Sequence, residues 1–444
     1  AALDRNFGGP DDPSDRPLAG RASRQPEWSA NRMSSLHWPC VLPSISVAVV
    51  PLKNLTGDPE QQYLTEAFTE DLIADLLRHS HAFSLKLLNE RAQSGSGASA
   101  AKRGFDYIVT GSFQRSTSGT LRVNMRIAHA ATSEYLWAGR HEFKPEDLVP
   151  IQTRITRRIS RELHGLLLQN ASRRAFIASG MNRDVAGSLT EAAAALKGKV
   201  TPELTAEAQR WYLAALAQHP RSVEALTGLA LTCQQLIGNP WWADPYVAAA
   251  ASDLGRAAVA IALDLAPGHA VAKCIQGMLC SAAGQLELAG RAFDQALALD
   301  QGLAPAHGFA GYNAALLGRA SETMPAVERA MRLDQADRRH SIWFFFGGFA
   351  EMLLGRIESS IGLLRRSLEL NPSYGGAQLF LMGALSLVGR RGAAAETAAS
   401  FRSRYPDYRI ATFEQLWLSR SNSSVYRAQV RPLFEKVCAL GVAS

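Results

Sequence analysis

Residues 311–318 read GYNAALLG, and residues 277–284 (GMLCSAAG) and 348–355 (GFAEMLLG) share its outline of two glycines seven positions apart. In each stretch the second glycine ends an apolar helical segment and precedes another. The pattern therefore predicts a unit of helix, tight turn and helix, because glycine adopts a positive φ at no steric cost. The turn glycines recur at intervals of 34, 37 and 34 residues: Gly284, Gly318, Gly355 and Gly389.

Other positions repeat with the turn glycines. The residue seven before the turn is small in three of the four units, Gly277, Gly311 and Gly348, which predicts that paired helices approach closely. A period of about 34 residues is characteristic of tetratricopeptide repeats. The same phase extends upstream, so we expect about six helix pairs over residues 180–441, with C-terminal capping helices. We also expect an array in which each pair contacts mainly the adjacent pairs.

The chain before the repeats divides into two parts. Residues 1–43 are rich in Gly, Pro, Ser, Arg and Asp and poor in apolar residues, which predicts a disordered linker or tail. Residues 44–170 contain short β-branched runs, two helical patterns and three alternating segments near 106–113, 120–127 and 135–143. We therefore predict a small α+β N-terminal domain with an antiparallel sheet, followed by an all-α tetratricopeptide-repeat solenoid.

Residues 44–63, SISVAVVPLKNLTGDPEQQY, resemble the opening of TolB-like amino-terminal domains. The segments TEDLI (69–73), YIVTGSF (107–113), LWA (136–138) and DLVPIQ (147–152) continue the resemblance. It runs from Ser44 to about Leu168 and resumes through the repeats. The resemblance implies a bacterial signalling protein, in which these two domains follow an adenylate or guanylate cyclase domain or a winged-helix DNA-binding domain. None of the matching motifs is catalytic in that family.

Motifs for chemistry are missing from the sequence. It contains neither a GxxxxGK[ST] phosphate loop nor a GxGxxG between a strand and a helix. We interpret His79 and His81 as a polar helix end rather than half of a metal site. The net charge of +7 over 444 residues is mild, and no basic cluster is interleaved with aromatic residues. We therefore expect no catalytic residues, cofactor or metal, and no direct nucleic-acid binding.

The location of the protein is predicted from two weak features. No window approaches 18 uninterrupted apolar residues, which predicts that the chain has no transmembrane segment. The five cysteines are scattered, as in proteins of reducing compartments. We expect a cytoplasmic protein, with the periplasm as the alternative if a membrane span lies upstream of Ala1.

The first helix of each pair supplies the candidate binding surface. Its inward positions are Met278, Tyr312, Phe345, Phe349 and Leu379. These positions lack the Lys, Arg and Asn side chains that would clamp a carboxylate. Two interpretations remain open: an apolar groove for a hydrophobic peptide or a protein partner, or additional core within the repeats.

A second candidate is the pair Trp241 and Trp242, in an insertion of about 13 residues between two helices. Tryptophan is enriched at interfaces, so this loop is a candidate interface loop; capping of a helix pair is the alternative. Taken together, the sequence favours a non-enzymatic protein-interaction or regulatory module in bacterial signalling. The alternatives are the C-terminal regulatory half of a nucleotide cyclase and the sensory half of a winged-helix activator. The oligomeric state is left open.

Overall fold

The computed structural model describes residues 38, 45–79, 83–87, 104–116, 120–144, 155, 159, 163, 166, 184–196, 200–333, 340–409 and 411–442. Several sequence predictions lie outside these residues. They are the disorder of residues 1–43 apart from Trp38, the loop at 93–101, the hairpin turn at 117–119 and most of the linker at 336–340. Trp38 itself is buried in the hydrophobic cluster that the helix pairs form.

The N-terminal domain contains a mixed β-sheet. Its elements are β1 (Ile45–Val49), β2 (Lys53–Leu55), α1 (Gln62–His79), β3 (Phe83–Leu87), β4 (Tyr107–Arg115), β5 (Leu121–His129) and β6 (Tyr135–Phe143). The strand order is β3-β1-β4-β5-β6, with β2 also paired to β4. The three long strands β4, β5 and β6 are antiparallel as predicted, whereas β1 lies parallel to both β3 and β4. The sequence made no prediction for the parallel pairing of β1.

The first apolar run is followed by a short second strand after a break at Pro51. Pro51 has no N–H to give to a ladder. On either side of it, Val50 donates to the carbonyl of Val109, while the N–H of Leu52 donates to the hydroxyl of Thr69 on α1. The chain resumes pairing at β2, farther along β4.

One face of the sheet carries the core of the N-terminal domain. Alternate residues of β5 are buried, as the period of two in a strand requires. They face the apolar stripe of α1 and a second helical segment. The buried side chains from these three sources are Leu121, Val123, Met125 and Ile127; Phe68, Leu72 and Leu76; and Ile155, Ile159 and Leu163.

The second part is a series of antiparallel helix pairs. The pairs are α2 (Val185–Leu196) with α3 (Pro202–Gln218), α4 (Val223–Gly238) with α5 (Pro245–Leu265), α6 (Ala270–Ala282) with α7 (Leu286–Leu299), α8 (Ala304–Leu316) with α9 (Thr323–Leu333), α10 (His340–Leu353) with α11 (Ile357–Leu370), α12 (Gly375–Leu387) with α13 (Arg391–Arg404), and α14 (Ala411–Ser419) with α15 (Ser424–Val442). The first helices α4, α6, α8, α10 and α12 contact one another in turn. The helix–turn–helix repeats predicted from the glycine spacing are confirmed.

The turn glycines have the predicted backbone. Gly284, Gly318, Gly355 and Gly389 have φ values of 73°, 87°, 76° and 78°. After Gly318, the N–H of Arg319 donates to the carbonyl of Ala314, which satisfies a carbonyl that the helix end would leave free. Each turn is therefore a helix ending that only glycine forms without strain.

The small residues seven before each turn allow the helices of a pair to touch. A Cβ at Gly277 would lie 2.6 Å from the ring of Phe293 on the partner helix. A Cβ at Gly348 would lie 2.8 Å from Leu364 in the same way. The prediction that small residues at these positions let paired helices approach closely is therefore confirmed.

The array also has contacts between distant pairs. Trp241, between α4 and α5, lies 6.2 Å from the ring of Tyr374 at the start of α12. At the other end, α15 packs on α12 and also contacts α10 and α13. Each pair contacts mainly the adjacent pairs, as expected, and an inserted loop and the C-terminal helices add contacts across the inner side.

Helix α5 is the one candidate membrane span among the described residues. It is 21 residues long, with a mean hydropathy of 1.4 over its most apolar window. Of that window 56% is buried within the fold. The helix also carries an ion pair between Arg256 and the buried Asp253, at 2.6 Å. It packs between α4 and α6, as the core helix of a repeat does.

The turn glycines allow two sources of strain to be separated. Gly355→Ala adds a Cβ that meets nothing within 4 Å, so only the positive φ is penalised. Gly318→Ala carries the same penalty and also places its Cβ 2.8 Å from Ser423 and 3.1 Å from Val425. We expect Gly355→Ala to cost about 1–2 kcal/mol and Gly318→Ala to cost more. Urea unfolding followed by circular dichroism measures both, and equal losses would contradict the contact with Ser423 and Val425.

Candidate functional site

The five predicted groove residues all lie on inner helices and are buried. Met278 is on α6, Tyr312 on α8, Phe345 and Phe349 on α10, and Leu379 on α12. None is more than 6% exposed. The inner face is covered, which agrees with the interpretation as additional core, and a partner-binding role for these residues stays a prediction. The cover includes residues 411–442, which we call the C-terminal segment.

Aromatic residues of α14 pack on the inner face. The ring of Trp417 lies 4.7 Å from Phe380, 5.8 Å from Phe349 and 6.4 Å from Phe345. Phe413, one helical turn earlier, lies 5.4 Å from Phe380. Residues four apart share one face of a helix, so α14 presents its aromatic face to α10 and α12.

Helix α15 completes the cover over α12. A Cβ added at Gly383 would meet the side chain of Leu433 and would lie 2.8 Å from Val437. Tyr426 lies 6.3 Å from Phe349, and its hydroxyl donates to the carbonyl of Trp417 at 3.1 Å. Because Gly383 has no side chain, Leu433 and Val437 of α15 pack directly on the backbone of α12.

The loop between α14 and α15 is held by polar contacts. Nη1 of Arg420 donates to the hydroxyl of Tyr312 at 3.1 Å, and the guanidinium lies 4.4 Å from the ring centre of Trp417. The hydroxyl of Ser421 donates to the carbonyl of Leu316 at 2.6 Å, at the end of α8. The loop thus uses a carbonyl that a helix end leaves unpaired.

The C-terminal segment spans several repeats. The carbonyl of Ser419 lies beside Gly284, the turn after α6, and Ser423 lies beside Gly318, the turn after α8. With the contacts to α10 and α12, the segment touches four consecutive first helices or the turns that follow them. The predicted capping helices therefore lie across the inner side instead of extending the stack.

The two tryptophans of the insertion are also buried, at 5% exposure each. The indole of Trp241 lies against Gly375 and Gly376 at the start of α12, where a Cβ would lie within 2.7 Å and 3.1 Å of it. Its ring is also 6.2 Å from Tyr405. These glycines leave the space that the indole occupies, so the loop packs on the start of α12. A partner-binding role for Trp241 and Trp242 stays a prediction.

Burial also determines the protonation of the tyrosines in this interior. It raises the pKa of Tyr405 to about 12, and the pKa values of Tyr312, Tyr374 and Tyr426 are also raised by burial. The positive charge of Arg420 acts in the opposite direction on the last three. All four phenols are therefore neutral near pH 7 and act as hydrogen-bonding groups.

Sequence reasoning missed Arg420, Trp417 and Phe413. The two predicted surfaces were the first helices of the repeats and the insertion with Trp241 and Trp242, and residues near 411–441 were assigned to capping helices. The available signal was the aromatic spacing of four between Phe413 and Trp417, which gives α14 an apolar face. Among the described residues, no group of three or more His, Cys, Asp or Glu side chains could hold a metal ion.

Comparison with known proteins gives a partial match. No family model matches the chain. A protein of Rhizobium meliloti (strain 1021), described as "Putative adenylate cyclase 3", is 34% identical over 118 residues. The match covers 26% of this chain and 20% of that relative, so the chain spans one fifth of the relative's length.

Two solved structures are similar in fold. A tetratricopeptide-repeat protein of Thermus thermophilus, TTC0263, has a TM-score of 0.36 and 17% identity, over 46% of this chain and 99% of that one. YrrB, described as a tetratricopeptide-repeat protein with an unusual peptide-binding site, has a TM-score of 0.29 and 19% identity, over 42% of this chain and 96% of that one. At these TM-scores the similarity carries no functional argument.

The burial of Phe349 makes the inner face testable as core. We expect Phe349→Ala to lower the free energy of unfolding by about 3–5 kcal/mol, because the ring is fully buried among Phe380, Trp417 and Tyr426. The matched control is Tyr246→Ala on α5, since that ring is 61% exposed; its cost should stay near about 0.5 kcal/mol. Urea unfolding measures both. A loss below about 1 kcal/mol for Phe349→Ala would favour an open groove over core.

Proposed function

We propose that this chain is a non-enzymatic protein-interaction module of a bacterial signalling protein. Its binding surface is the inner face of α8, α10 and α12, and the C-terminal segment is the occupant of that surface within the chain. The observation that carries the proposal is the docking of α14 and α15 on this face through aromatic side chains. A surface that accepts these helices has the shape and chemistry to accept an amphipathic helix of a partner.

The free energy of docking supports the displacement of the C-terminal segment by a partner helix. Burying Phe413, Trp417 and Tyr426 stabilises the docked state by roughly 1.5–3 kcal/mol for each side chain. Against this, removing the guanidinium of Arg420 from water costs several kcal/mol, of the order found for buried ions. The net stability of the docked segment is therefore the difference between the favourable burial of the aromatic side chains and the unfavourable burial of Arg420. A partner helix with similar apolar anchors and no buried charge would compete with it.

The chemistry of the surface defines the class of partner. The rings of Phe345, Phe349 and Phe380 offer apolar contact and no charge. We therefore propose a hydrophobic peptide or a protein helix as the partner, bound with little dependence on salt, because screening weakens charge pairs but not apolar burial. Direct nucleic-acid binding is not part of the proposal.

The 34% identity to a cyclase relative supports a more specific context. We propose that residues 44–170 are a TolB-like domain and that the module regulates an adenylate or guanylate cyclase in the cytoplasm. The sensory half of a winged-helix activator is the second candidate, favoured only by the resemblance of residues 44–63. Sequencing the gene upstream of Ala1 distinguishes the two candidates. A cyclase domain there supports the first candidate, and a winged-helix domain supports the second. An upstream sequence that encodes neither domain contradicts both candidates.

The binding surface is tested with a labelled peptide of residues 411–442 added to the full chain. Leu433→Ala in the chain should loosen the internal segment, since the buried Leu433 packs against Gly383, while the surface and the added peptide stay unaltered. We expect this variant to bind the added peptide at least about tenfold more tightly, corresponding to about 1.4 kcal/mol of lost internal docking. The matched control is Glu435→Ala on the same helix, because Glu435 is exposed and its loss should leave binding like that of the unaltered chain.

Fluorescence anisotropy at low and high salt measures the binding. Peptide with Phe413 and Trp417 both changed to Ser should not bind, since it lacks the apolar anchors. If Leu433→Ala lowers the helical circular dichroism signal, Ser421→Ala replaces it, because that change removes the hydrogen bond that ties the loop to the carbonyl of Leu316. Equal binding to Leu433→Ala and Glu435→Ala, or binding that salt abolishes, would contradict the proposal.

A further inference from the structure

Arg420, in the loop between α14 and α15, carries a buried positive charge. Only 7% of the residue is exposed. One nitrogen donates to the hydroxyl of Tyr312, and no Asp or Glu among the described residues pairs with the guanidinium. Its Nε is buried and has no acceptor in the described part of the chain. Buried guanidinium groups are normally paired with anions, so this arrangement lacks an acceptor.

A second donor lies on the side chain that stacks against Arg420. The indole of Trp417 is 2% exposed, and its Nε1 also has no acceptor within the residues that the structure describes. The guanidinium carbon lies 4.4 Å from the centre of that ring. Two stacked side chains therefore carry buried N–H groups and a positive charge without a matching acceptor. A buried donor without an acceptor costs about 1–3 kcal/mol.

Tyr312 adds a third donor to this cluster. Its hydroxyl oxygen accepts from Arg420, so its own proton is available to another acceptor. Burial raises the pKa of the Tyr312 phenol, which is therefore neutral near pH 7 and retains that proton. The ring of Tyr312 stacks on Phe346 at 4.4 Å, which fixes the position of the hydroxyl.

We propose that Arg420, Trp417 and Tyr312 form a binding site for the carboxylate of a small organic acid. The carboxylate supplies a single negative charge and two acceptor oxygens, which match one guanidinium and its neighbouring donors. A phosphate dianion would leave a net negative charge among aromatic rings, which is unfavourable in an apolar interior. The rings of Phe345 and Phe349 beside Trp417 suit an apolar body on the acid.

Thermal unfolding of the full chain tests the site with acetate and benzoate as probes. A ligand that binds only the folded chain raises the melting temperature as its concentration rises above its dissociation constant. We expect both sodium salts to raise it in a dose-dependent manner, and benzoate to act at lower concentration. Acetamide and benzamide have the same shapes without the charge and should have no effect. Sodium chloride at equal ionic strength controls for screening.

Two variants connect the effect to the site. Arg420→Met keeps the length of the side chain and removes the charge, so it should abolish the shift with both probes. Arg431→Met is the matched control, because Arg431 lies exposed on the same segment and should leave the shift intact. If Arg420→Met does not fold, Trp417→Phe replaces it: this change removes Nε1–H and should weaken benzoate binding about fivefold to tenfold.

The outcomes decide between a ligand site and a structural arginine. A shift that depends on the carboxylate and on Arg420, or that weakens in Trp417→Phe, supports the proposal. No shift with either salt would mean that solvent satisfies these donors, and the proposal would be overturned. An equal shift with the amides, or an undiminished shift in Arg420→Met, would overturn it as well.

Discussion

The structure depends on covering the aromatic inner face of α8, α10 and α12. The rings of Tyr312, Phe345, Phe349 and Phe380 form one contiguous apolar surface, and exposing such a surface to water is unfavourable in proportion to its area. The chain covers it with α14 and α15 from one end and with the insertion at Trp241 from the other. The glycines at Gly375, Gly376 and Gly383 follow from this requirement, since each admits a side chain from outside its own repeat.

Local rules made the repeats predictable from the sequence. A turn that needs a positive φ selects glycine, so Gly284 indicates a turn without any knowledge of the rest of the fold. Closely packed helices select small residues, so Gly277 indicates a helix contact in the same way. The cover was not predictable, because an amphipathic helix that caps a stack and one that lies across its inner face have the same apolar pattern. The contact of Trp241 with Gly375 depends on how the repeats between them stack. No local pattern encodes that arrangement.

The difference between local pattern and long-range packing also explains which residues of the candidate site were predicted. The first helices supply no cation to the inner face, as the sequence indicated. The cation comes from Arg420, on a segment that the repeat pattern does not include. In the sheet, likewise, the alternation in β5 predicted which side chains are buried, but not that β1 would pair in parallel with both β3 and β4. Composition indicates what a segment can bury, whereas its partner is decided by the remainder of the fold.

The contacts between distant pairs change how the array responds to binding. In a simple stack each pair contributes its own stability and one interface with each neighbour. Here the C-terminal segment touches Gly284, Tyr312, Phe349 and Gly383, which belong to four successive pairs. Release of the C-terminal segment would therefore change the stability of all four pairs together. A ligand that favours either state shifts the population of the whole array, because it biases one element that every one of these pairs contacts.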